Sequence, residues 1–105
     1  MMINENIIQE IVGKILSVAK PERVILFGSG ASGFMTQDSD VDLLVIEKKV
    51  NRPREEMVKI RKALSGIAMP VDIIVMGSER FAETRNVIGG IAYPANKYGK
   101  VIYEK

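Results

Sequence analysis

Apolar residues in the first part of the chain recur with a helical period: Ile3, Ile7, Ile8, Ile11, Val12, Ile15 and Leu16 share one face. The spacing predicts an amphipathic helix that stops before Lys20-Pro21, because the residue ahead of a proline is pushed out of the helical region. The period then shortens. Arg23 to Gly28, RVILFG, is a β-branched and aromatic run closed by glycine, and it reads as a mostly buried strand. Residues 28–39 are rich in Gly, Ser, Ala and Thr and read as a loop or a short helical turn. Asp40 to Glu47, DVDLLVIE, is the second strand. Asn51 to Pro53 open a second helix with Met57, Ile60, Leu64 and Ile67 on one face, and Pro70 ends it. Val71 to Met76 is the third strand. Ser78 is expected to cap a third helix that carries Phe81, Val87 and Ile88 and is interrupted by Gly89-Gly90 and Pro94. After Gly99, KVIYE reads as a final short strand. The order α-β-β-α-β-α-β predicts an α/β sandwich in a single domain, 1–105, without repeats or linkers.

Composition narrows this picture more than it adds to it. The 105 residues are 47% hydrophobic, enough for a buried core without metal or disulfide staples. Fifteen basic against thirteen acidic residues leave +2, which argues for neither nucleic acid nor membrane. The absence of cysteine excludes disulfides and thiolate metal sites. MMINENIIQE lacks a basic leader region with an unbroken apolar core, and no apolar run approaches the roughly twenty residues a membrane span needs. The expectation is a soluble, cytoplasmic protein.

The unusual chemistry lies at the mouth of the second strand, where Asp38, Asp40 and Asp42 crowd together. Alternate strand residues share a face, so Asp40 and Asp42 project together, away from Val41 and Leu43. Paired carboxylates in a partly buried site are tolerated when a divalent cation lies between them, and oxygen ligands of this kind suit Mg²⁺. Asp72 is a further lone carboxylate among apolar residues in PVDIIVM. Gly28-Ser29 directly follows the first strand, where backbone N–H groups and a hydroxyl can cradle phosphate. A phosphate-holding turn beside carboxylate-held metal is the equipment of phosphoryl or nucleotidyl transfer.

Gly28-Ser29, ten residues, then Asp40-x-Asp42, with Asp72 on a later strand, resembles the minimal nucleotidyltransferases of the DNA polymerase beta superfamily. The longer string GSGASGFMTQDSDVDLLV is similar to that family's Gly-Ser-x-Ala-x-Gly … Ser-Asp-x-Asp-Leu-x-Val signature, and GKVIYE is similar to the ends of such domains. The resemblance spans Arg23 to Glu104. It implies the polymerase beta-like nucleotidyltransferase fold, a small mixed sheet of about four strands with helices packed on it. It also implies that Gly28 and Ser29 hold the triphosphate of a nucleotide, with ATP as the expected substrate. Asp40 and Asp42 would ligate two Mg²⁺ ions, and Asp72 would complete the metal site and help deprotonate the acceptor hydroxyl. Minimal members are commonly paired with a HEPN-domain toxin, whose tyrosine receives AMP and is thereby silenced; an antitoxin role and a hetero- or homo-oligomer are the corresponding expectations. This chain has Gly30 and Ser32 where many members carry a basic residue.

Other readings stand beside these. On a structural reading, Asp40 and Asp42 merely cap a strand start and Asp72 is a solvated edge residue; a second functional reading is a non-catalytic binding subunit that keeps the fold, neutralises its partner by contact and uses the acids at most for metal binding. Asp38 lies outside the matching spacing and reads as a turn residue. Between Glu47 and Lys62, seven basic side chains face three acidic ones. Such a run is ordinarily a solvated helix face; otherwise it docks an acidic partner or, less favoured, RNA. A domain this small is also expected to complete its acceptor site with another chain, through the loop Gly30 to Gln37 and the helix from Arg52 to Lys62.

Overall fold

The computed structural model describes residues 5–27, 41–67 and 71–105. They form α1 (Glu5–Val18), β1 (Arg23–Phe27), β2 (Val41–Glu47), α2 (Pro53–Ala63), β3 (Val71–Gly77), α3 (Ser78–Thr84), α4 (Ala92–Tyr98) and β4 (Lys100–Glu104). The strands make one mixed sheet in the order β3-β2-β1-β4, with β1 antiparallel to both β2 and β4, and β2 parallel to β3. The α/β architecture and the four-stranded sheet agree with the expected fold.

Hydrophobic period explains how the layers assemble. Ile8, Ile11 and Ile15 lie one to two turns apart on α1 and are all buried. With Ile60 from α2 and Leu64, which caps its C-terminus, they cover one face of the sheet, against Val24, Leu26, Leu43, Val45, Ile73 and Val75. The alternate strand residues Ile25, Leu44 and Ile46 form a second core with Phe81 of α3 and with Ala92 and Ala95 of α4. Strand β2 is therefore covered on both sides, which is why its centre, Leu43 to Ile46, is an unbroken apolar run. A parallel neighbour cannot be reached by a tight turn, so α2 carries the chain back across the α1 side between β2 and β3.

Three expectations are corrected. The third helix stops at Thr84, and Val87 and Ile88 lie beyond it with 56% and 81% of their surface exposed. The chain turns there through Gly89, whose φ of 112° only glycine adopts without strain. Pro94 does not interrupt a helix: it sits in the first turn of the separate helix α4, where its missing N–H has no partner to lose. Ser78 is the first residue of α3 and not its cap; Gly77 occupies that position, and the Ser78 hydroxyl donates instead to the Lys48 carbonyl at 3.3 Å.

Two glycines should respond oppositely to alanine. A Cβ on Gly99 would run into the Ala95 carbonyl and Cγ2 of Ile25, whereas one on Gly13, inside α1, meets nothing within 4 Å. Gly99→Ala is expected to cost about 1–3 kcal/mol through overpacking. Gly13→Ala should add about 0.5–1 kcal/mol through helix propensity. Urea unfolding of both variants measures each sign directly.

Candidate functional site

The second residue of β2 and the second residue of β3 are both aspartates, and the parallel register pairs Asp42 with Asp72. In-register neighbours on adjacent strands lie about 5 Å apart and project from the same face. That face is set by the residues in step with them. Leu44, Ile46, Ile74 and Met76 all belong to the core on the α3–α4 side, so Asp42 and Asp72 rise from this side as well. Phe27, the last residue of β1, pairs with Asp42 from the other flank and also packs on the α3–α4 side. Asp42 is half-buried and Asp72 exposed on this side of the sheet.

The structure thus brings together Asp42 and Asp72, two of the three carboxylates expected to act jointly. Asp40, Gly28 and Ser29 lie outside the described residues, as do Asp38 and the loop Gly30 to Gln37. Asp40 is bonded directly to Val41, and Gly28 directly to Phe27, so the chain enters and leaves this end of the sheet beside Asp42. Among the described residues no group of three or more potential ligands could hold a metal ion. Two neighbouring carboxylates nevertheless suit a hard divalent cation, which takes one or two of them and completes its shell with water and phosphate oxygens.

The other end of β2 carries chemistry that sequence reasoning missed. Glu47 closes the strand on the opposite face, toward α1 and α2, with only 8% of its surface exposed. Its carboxyl hydrogen-bonds to that of Glu56 on α2, while its Oε2 is buried without a hydrogen-bond partner among the described residues. Burial, then the neighbouring Glu56, pushes Glu47 up from 4.5 to about 7. Glu56 is held below the ordinary carboxylate range by hydrogen bonds from Lys59, 2.6 Å away, and from Glu47. These groups line a groove of about 870 Å³ at the C-terminal end of α1. The only hint in the sequence was an acid ending an apolar strand; that α1 and α2 close over it is a tertiary fact.

Residues 6–92 match the nucleotidyltransferase domain family. Over 71 residues, 66% of this chain and 71% of the relative, the sequence is 38% identical to protein adenylyltransferase MJ0141 of Methanocaldococcus jannaschii, a name that is itself provisional. A solved toxin–antitoxin structure with AMP-PNP aligns over 93% of this chain and 73% of its own, with a TM-score of 0.72 at 17% identity. A provisionally named nucleotidyltransferase from Sulfolobus solfataricus aligns over 95% of this chain and 79% of its own, with a TM-score of 0.64 at 23% identity. At these identities the two structures establish a common fold. No helix among the described residues is long and apolar enough to cross a membrane.

The raised Glu47 carboxyl makes stability depend on pH. Its folded value lies above the unfolded one, so the protonated acid is favoured in the fold. That contribution is complete below about 4.5 and is lost as pH rises through about 7. Glu56, shifted down, acts oppositely and loses its contribution only at lower pH. Glu47→Gln keeps a donor toward Glu56 and cannot ionise. Relative to the parent, the variant should gain roughly 1–3 kcal/mol between pH 5 and pH 8, read from urea unfolding at both. An equal difference at both pH values would remove Glu47 as the responsible group.

Proposed function

The chain belongs to the nucleotidyltransferase domain family, and from that premise we propose that it is a Mg²⁺-dependent adenylyltransferase that moves AMP from ATP to a hydroxyl. The acceptor is a tyrosine of a HEPN-type toxin partner, and the modification makes this chain its antitoxin. The observation that carries the reading is the in-register pair Asp42 and Asp72 at the open end of the sheet. Adenylyl transfer and a protein acceptor are supported by the relative named as a protein adenylyltransferase, and the partner by the toxin–antitoxin structure with AMP-PNP that shares the fold.

Asp40, Asp42 and Asp72 are the residues that would hold the metal, and Gly28 and Ser29 those that would hold the triphosphate. Mg²⁺ held there would supply neutralisation of the phosphate charge. Asp72, exposed beside Asp42, would take the proton of the incoming hydroxyl on this reading. The hydroxyl oxygen forms a bond to the α-phosphorus as the bond to the β-phosphate bridging oxygen breaks, leaving AMP on the acceptor and releasing pyrophosphate. The chain's own contribution is alignment: two strands in fixed register hold the two carboxylates at one separation. On the second reading the same fold neutralises its partner by contact, without transfer. Gly30 and Ser32, where many members carry a basic residue, are what favours it.

Two measurements separate these readings. ATP with Mg²⁺ or Mn²⁺ should raise the melting temperature, because a ligand that binds only the folded chain stabilises it. Asp42→Asn should abolish that gain while the apo protein stays folded. Loss of the apo fold in this variant would make Asp42 structural. With ATP, Mg²⁺ and the partner present, intact-mass spectrometry should show a nucleoside monophosphate added to the partner, with pyrophosphate released. An unmodified partner in a formed complex would instead establish the contact-only reading.

A further inference from the structure

Arg54, Val58, Arg61 and Lys62 recur at helical spacing and form one exposed stripe of α2, flanked by the exposed Glu55 and Lys59. The acids of this helix do not balance them. Glu55 pairs with Arg52 at 3.5 Å, and Glu56 is engaged by Lys59 and Glu47. Arg54, Arg61 and Lys62 form no ion pair with any described residue. Helix stability accounts for Arg61 and Lys62, which stand in the last turn and complement the helix dipole. It does not account for Arg54, whose charge opposes that dipole in the first turn. A groove of about 700 Å³ runs beside Arg54 and Lys62, with Pro53, Glu55 and the 42%-exposed Val58 in its lining, and Arg61 stands outside it on the same stripe.

We propose that this stripe docks an acidic, amphipathic segment of a partner protein, its carboxylates meeting Arg54, Arg61 and Lys62 and an apolar side chain meeting Val58. Arginine is enriched at protein interfaces, and Val58 offers an apolar contact among the cationic side chains. A single-stranded nucleic-acid surface is built instead on aromatic stacking platforms, and α2 carries no aromatic residue. The stripe belongs to the α1–α2 side of the sheet, opposite the side from which Asp42 and Asp72 project. Docking therefore leaves the aspartates accessible, and the surface stands whether or not the chain transfers AMP.

The test is fluorescence anisotropy with a labelled synthetic helix-forming peptide of Glu and Leu, alongside a labelled oligouridylate of equal charge. The protein should bind the peptide more tightly than the oligouridylate, with an affinity that falls as salt rises. Arg54→Glu with Arg61→Glu and Lys62→Glu should weaken peptide binding at least ~10-fold, and Val58→Ala several-fold. Lys97→Glu with Lys100→Glu and Lys105→Glu, an equal charge change on α4, β4 and the C-terminal residue, should have little effect. The single variant Arg54→Glu guards against misfolding, because it removes an unfavourable dipole contact: it should unfold no more easily than the parent yet bind more weakly. Absence of peptide binding, equal loss in the control triple variant, unchanged affinity in Arg54→Glu, or tighter binding of the oligouridylate would each overturn the proposal.

Discussion

Parallel pairing of β2 with β3 obliges the chain to return from one end of the sheet to the other, and α2 is that return. The pairing starts both strands at the same end, and each has aspartate as its second residue. Register then decides everything at the site. A slip of one residue would turn Asp72 toward the α1–α2 core and take the place of Ile73. An ionised carboxylate among Leu43, Val45 and Leu64 would cost several kcal/mol, of the order that isolated buried charges carry. Asp72 therefore enforces the alignment that places it beside Asp42.

Much of this was legible in the sequence because apolar period and burial coincide along most of the chain. Ile8, Ile11 and Ile15 repeat on α1, and Leu43 to Ile46 run without a polar break because helices cover both faces of β2. The reading failed where apolar residues are not buried. Val87 and Ile88 look like the inner face of a longer α3 but lie past its end in solvent, and no local pattern distinguishes the two cases. Pro94 was misjudged for a related reason: a proline breaks a helix interior but fits a first turn, and its effect depends on where the helix begins. Of the expected site, Asp42 and Asp72 could be located, because strand period fixed their face and pairing fixed their neighbour. Asp40, Gly28 and Ser29 fall outside the described residues, and their part rests on the family's motif alone.

Strand β2 carries a carboxylate pair at each end, and the two pairs settle their repulsion differently. At the C-terminal end Glu47 is sealed by α1 and α2, and the structure responds by keeping one proton in the pair and bringing Lys59 against Glu56. Charge there is removed rather than used. At the N-terminal end Asp72 is open to solvent and Asp42 only half-covered. The contrast turns on environment, since the side chains are chemically alike. A carboxylate holds a hard cation only when ionised, and burial like that of Glu47 favours the protonated acid.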